Sequence, residues 1–353
     1  MNSKLNLDYL YTLTDDVGIF QHSKFSVPDP TEGYTTDDNV RALIVAGMLY
    51  EKYEDKKYLK LVNRYMSFLV NAQNSKGKFK NFMDYNRNFI EEEGSDDCFG
   101  RCIWALGYTA SIKTMPDNIK NCCMLLLDAA VPNILNLRFL RSKAYCIIGI
   151  YYTLNIEQNK KYKISYASSK DKLISIVKKL SSDIMGAYDK NKDLNWNWFE
   201  GKLTYSNSII PWALILSYEI LKEDDVKKVA VQSLKFIDKI YFRKDYFKPI
   251  GCKGWLEKGK DAAEFDEQPI EAAEALLMYI AFYNILGEDI YLKRAEDCFK
   301  WYIGKNSKNI CLIDEDSGGC FDGIEKDKIN FNQGSESIIS YCMAYLTLGD
   351  YMS

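Results

Sequence analysis

The chain has 353 residues, 46 Lys+Arg against 49 Asp+Glu, a net charge of −3, 47% hydrophobic and 27% charged residues. That mixture is globular and excludes a disordered, collagen-like or bare coiled-coil chain. Near-neutral charge with scattered Lys and Arg argues against a nucleic-acid partner, and the lack of an 18-residue apolar run predicts no membrane span.

In chain order, apolar residues recur at helical spacing over 5–13, 39–52, 57–72, 98–112, about 118–137, about 142–154, 169–185, 207–221, 224–240, 268–286, 289–304 and 334–349. This predicts twelve helices and no strand. They alternate between two kinds. DKKYLKLVNRY, DDVKKVAVQSLKFIDKIY and DIYLKRAEDCFKWYIG are charged along one face, as outer helices are. FGRCIWALGYTASI, SIIPWALILSYEIL, PIEAAEALLMYIAFY and SESIISYCMAYLTL are apolar nearly all round, as buried helices are, with small residues that permit close approach.

The inner helices start near 38, 97, 141, 207, 267 and 334, a loose repeat of helical hairpins. Long loops precede most of them, whereas turns such as LKEDDVKK are short on the other side. Loops that long are usually functional. Six pairs predict an all-α (α/α)6 toroid over 1–353 as a single domain, with an open solenoid as the alternative.

The opening MNSKLNLDYLYTL has no basic stretch leading into an apolar segment, which predicts a cytoplasmic protein. Ten Cys without a C-x-x-C pair are expected to stay reduced. His22 is the one histidine, so an H-E-x-x-H protease and a two-histidine acid/base pair are excluded. No metal or cofactor is expected. Carboxylates, Tyr, Lys and Arg are left to do chemistry.

The acids fall in register. Asp37 and Asp38 precede the first inner helix, Asp96 and Asp97 the second, Glu200 the fourth, and Asp266 and Glu267 the fifth, while Glu336 opens the sixth. An acid at a helix start can be a simple N-cap. Capping needs one residue, however, and several sites carry two. Crowded carboxylates split their proton affinities, leaving one neutral and one ionised. Tyr34, Trp196, Trp198, Tyr205 and Trp255 accompany them, and flat rings beside hydroxyl-accepting acids form a carbohydrate subsite. Arg41 and Arg101 follow acids by four residues, as an ion pair or as donors to sugar hydroxyls. Asn39, Gln268, Asn332 and Gln333 add amides, and His22 lies in the loop leading to Asp37.

The segments GIFQHSKFSVPDPTEGYTTDDNVRAL, DDCFGRCIWALG, WNWFEGKLTYSNSIIPWAL, FDEQPIEAAEAL and DSGGCFDG…NFNQGSES resemble a family of six-hairpin, (α/α)6-toroid proteins. Its members are mostly described as glycoside hydrolases, and some are fused to or described as glycosyltransferases. The likeness runs from about Asp8 to Leu348 and implies a carbohydrate-active mouth at Asp38, Asp97, Glu200, Asp266 and Glu336. The third hairpin departs from it: Arg141 and Lys143 in RFLRSKAY stand where the others carry acids.

The expected activity is cleavage of a glycosidic bond of an oligosaccharide by two carboxylates. Glu200 is the expected acid, because aromatic surroundings favour a neutral carboxyl, and Asp97 or Asp38 the base or nucleophile. Asp266 and Glu336 would bind sugar hydroxyls. A phosphorylase on this fold and a glycan-binding partner of a glycosyltransferase are the alternatives. A sugar epimerase would usually rely on paired histidines.

Overall fold

The structure, a computed structural model, describes residues 5–156 and 169–352. Its helices are α1 (Asp8–Thr12), α2 (Thr36–Tyr53), α3 (Lys56–Ala72), α4 (Asp96–Ser111), α5 (Asp117–Ala130), α6 (Leu140–Leu154), α7 (Lys170–Asn191), α8 (Ile209–Leu221), α9 (Asp224–Tyr241), α10 (Pro269–Leu286), α11 (Asp289–Tyr302) and α12 (Ser335–Gly349). Each predicted segment meets one of them. The expected helix over 118–137 stops at Ala130 and tightens into a 3-10 stretch, Val131–Asn136, because Pro132 has no N–H for the α-helical ladder.

By packing, the chain divides into two compact units: Thr14–Gln21 with Asp29–Ser181, and Met1–Leu13 with His22–Pro28 and Ser182–Ser353. In the first, α2 packs on α3 and α4, and α4 on α5 and α6. In the second, α10 packs on α8, α11 and α12, α8 on α9, and α12 on α1. The even-numbered helices are the buried ones. On α8, every residue from Ile209 to Ser217 is buried, whereas α3 and α9 bury one stripe. By length and composition α10 is the one helix among the described residues fit to cross a membrane, against the expectation of none; 72% of that span is buried inside the protein, as a core helix is.

Small residues bring α4 and α6 together. A Cβ on Gly107 would lie 2.2 Å from the Gly149 carbonyl oxygen, and one on Gly149 would lie 2.4 Å from that of Ile103. No side chain fits there.

Strands, which were not expected, occur as two-residue antiparallel ladders in the long loops. Tyr34–Thr35 pairs with Phe82–Met83 in the first unit. In the second, Ser23–Lys24 pairs with Val27–Pro28, Lys202–Leu203 with Leu256–Glu257, and Gly323–Ile324 with Ile329–Asn330. Glu267 also bridges to Ile324. Three of these pairings tie the loop before one inner helix to the loop before another: α2 to α4 in the first unit, and α8 to α10 and α10 to α12 in the second.

All ten cysteines are free thiols, as the sequence predicts. Burial pushes the thiols of Cys102, Cys123, Cys146 and Cys298 up from the ordinary value, which disfavours the reactive thiolate.

Candidate functional site

In the first unit the acids at the starts of α2 and α4 are not the helix caps. Thr35 Oγ1 accepts from Asp38 N (3.0 Å), and Ser95 Oγ accepts from Cys98 N (3.1 Å). The neighbouring acids are therefore available for other partners. Arg41 donates to Asp38 Oδ1 (2.8 Å), and Thr35 Oγ1 donates to Asp38 Oδ2 (2.5 Å). Arg101 reaches across to Asp37 Oδ2 of α2 at 2.9 Å. Its guanidinium also lies 4.8 Å over the Tyr145 ring. Asp37 Oδ1 is buried and accepts no hydrogen bond among the described residues. Asp97 is buried in the same first turn of α4. Asp96 instead accepts the Arg138 N–H (2.9 Å), which fixes the short loop before α6.

In the second unit the ladders make a continuous belt of loops before α8, α10 and α12. The loop of Glu200 is joined to that of Trp255 through Lys202–Leu203 and Leu256–Glu257. The loop of Asp266 is joined to that of Asp322 through the Glu267–Ile324 bridge. Asn332 Oδ1 accepts the Phe25 N–H at 2.9 Å, and Gln333 N donates to Ser23 Oγ at 2.9 Å, which brings in the loop of His22. Glu200 is half-buried, and its backbone oxygen accepts the Trp196 indole N–H at 2.7 Å. Asp266 meets Lys253 at 3.1 Å, while its Oδ1 is buried and accepts no hydrogen bond among the described residues. Glu336 lies in the first turn of α12 and Gln268 directly before α10, both half-buried, and His22 is exposed.

Several expected substrate contacts turn inward instead. Glu267 is 0% exposed: its carboxylate takes Lys248 (2.7 Å), the Trp301 indole N–H (2.8 Å) and Ser307, so no sugar reaches it. Gln333 donates to Asp314 (2.8 Å) and accepts from Ser317 (2.7 Å). Asn39 is wholly buried; its Oδ1 accepts Ile19 N (3.0 Å) and its amide donates to Thr35 O (2.8 Å). Tyr34 donates to Asp15 at 2.5 Å and stacks on Phe20; burial and that carboxylate push its phenol well up. Trp196 and Trp198 pack on Phe236 and Phe199. Of the rings expected to stack on sugar, Tyr205 is open, at 41%.

Two acids escape the sequence reading. Glu271, in the apolar helix α10, accepts the Ser206 N–H at 2.6 Å and so fixes the loop carrying Tyr205. An acid in an otherwise apolar run was the available signal. Asp322 stands inside the quoted DSGGCFDG segment, but away from a helix start. Its Oδ1 accepts Gly334 N (2.7 Å) and Ser337 Oγ (2.6 Å) at the start of α12. Burial raises its proton affinity above the ordinary Asp value; Glu336 pushes the same way, against those hydrogen bonds and His22.

No protein-family model matches this sequence, and no curated protein matches it. Solved structures match along nearly the whole chain. A sugar epimerase from a ruminal bacterium superposes with a TM-score of 0.71 at 14% identity, covering 97% of this chain and 96% of its own. A D-mannose isomerase gives 0.70 at 12% identity, over 97% and 95%. A family 76 α-mannanase from Bacteroides thetaiotaomicron gives 0.68 at 10% identity, over 98% and 94%. Likeness at such low identity establishes the fold, an all-α (α/α)6 toroid of six helical hairpins.

Proposed function

We propose that this protein is a carbohydrate-active enzyme that cleaves a glycosidic bond of an oligosaccharide with carboxyl groups of the loop belt. The observation that carries the reading is the belt itself, in which tied loops set Glu200, Asp266 and Asp322 before three adjacent inner helices, with Glu336 in the first turn of the last. Asp266 adds to it, because a buried carboxylate oxygen without a hydrogen bond is costly, and a sugar hydroxyl is a donor that removes the cost. The similar folds named above are those of sugar-converting enzymes. Glu200 is the proton donor, and Asp266, Glu336, Gln268 and Tyr205 bind hydroxyls and a sugar face. Asp37, Asp38, Arg41, Asp97 and Arg101 form a second charged group at the starts of α2 and α4.

Glu200→Gln tests this. Reducing-end release from manno- and gluco-oligosaccharides is expected to fall by about 10²- to 10⁴-fold with the thermal transition unchanged. Turnover within a few-fold of wild type removes Glu200 from the chemistry. A second reading, sugar epimerisation, is favoured by the names of two of the similar structures and by His22 beside Asp322. It predicts exchange of a carbon-bound hydrogen without cleavage.

A further inference from the structure

We propose that Asp322 is a catalytic carboxylate of this site, the group that takes the proton from the attacking water. This rests on the glycosidase reading and gives Asp322 the role that the sequence assigned to Asp38 or Asp97. One oxygen is fixed and the other is available. Oδ1 accepts Gly334 N and Ser337 Oγ, whereas no described residue donates to Oδ2. The backbone around it is held from two sides, since Asp322 N donates to Asn332 O (2.8 Å) and to Asn330 O (3.1 Å). Asn332 in turn holds Phe25, and Gln333 N donates to Phe25 O at 3.1 Å. These bonds set the loop of His22, the carboxyl of Asp322 and the first turn of α12 in one frame, which is the preorganisation a catalytic group needs. The side chains of His22 and Glu336 lie near enough to act on Asp322.

Apolar surface lies open on the same frame. Phe25 is 68% exposed and Phe331 49%, and Phe331 packs edge-on against Phe321, the residue before Asp322. Solvent-facing rings beside a half-buried carboxyl suit the C–H face of a pyranose with its hydroxyl rim toward the acid. In the step itself, Asp322 Oδ2 takes a proton from water as the water oxygen bonds to the anomeric carbon. The bond from that carbon to the glycosidic oxygen breaks with its electron pair, and that oxygen receives the proton of Glu200.

Glycosyl fluorides test the assignment, because fluoride leaves without a proton donor and the reaction then reports on the group that activates water. The probes are the α- and β-fluorides of glucose, galactose and mannose, read with a fluoride electrode. Wild type is expected to release fluoride from at least one of them. Asp322→Asn keeps the Oδ1 acceptor for Gly334 and Ser337, and is expected to fold with an unchanged thermal transition yet release fluoride at least about a hundredfold more slowly. Sodium azide is expected to restore release by Asp322→Ala at least tenfold and to yield the glycosyl azide. Wild-type release with Asp322→Asn within threefold overturns the role of Asp322 alone. A slow Asp322→Asn with no azide product from a folded Asp322→Ala overturns it too. No release by wild type from any of the six fluorides overturns the glycosidase reading, and this assignment with it.

Discussion

Glu267 and Asp322 are acids of neighbouring, bridged loops, yet their surroundings set opposite roles. Glu267 is sealed with Lys248, Trp301 and Ser307, so removing it takes the nearest carboxylate from a buried ammonium and leaves it the Glu264 carbonyl at 2.8 Å and carboxylate at 3.3 Å. Glu267→Ala is expected to lose about 3 kcal/mol in urea unfolding; a loss below about 1 kcal/mol would show that Glu264 alone suffices for Lys248. Asp322 behaves differently because burial raises its folded-state proton affinity. The folded chain therefore holds that proton more tightly than the unfolded chain does. The stability this contributes is full below the ordinary Asp value of 3.8 and is lost as pH rises through the folded value. The melting temperature of wild type minus that of Asp322→Asn should therefore fall as pH rises from about 3.8 through the raised folded value. A flat difference would contradict it. Neither role was readable from the sequence, because FDE and FDG show acids beside aromatics and not what encloses them.

At the scale of elements, the helices were readable and the ladders were not. Periodicity over fourteen or more residues marks a helix, whereas a two-residue strand such as Lys202–Leu203 has no period to read. The caps went unread for a related reason: Thr35 sits two residues and Ser95 one residue before the acids that drew attention, and capping by them leaves those acids to Arg41, Arg101 and Arg138. The close approach of α4 and α6 follows from small residues that the sequence does show. Gly149→Ala places a methyl against the Ile103 backbone, which cannot rotate away as a side chain can. It is expected to cost about 2–3 kcal/mol in chemical unfolding, and a neutral result would mean that the two helices separate freely.

For the whole molecule, six alternating pairs of helices were enough to reach the (α/α)6 toroid that the solved structures share at 10–14% identity. The chemistry is less fixed by that fold, since a sugar epimerase, a mannose isomerase and a mannanase all superpose on it. With His22 as the one histidine, carboxyl groups dominate the belt, and carboxyl pairs suit glycosidic cleavage. The most direct test is NMR of wild-type protein with manno- and cello-oligosaccharides in D2O. New reducing-end anomeric signals with no deuterium at C2 are the predicted result. Deuterium at C2 of an uncleaved sugar would contradict it.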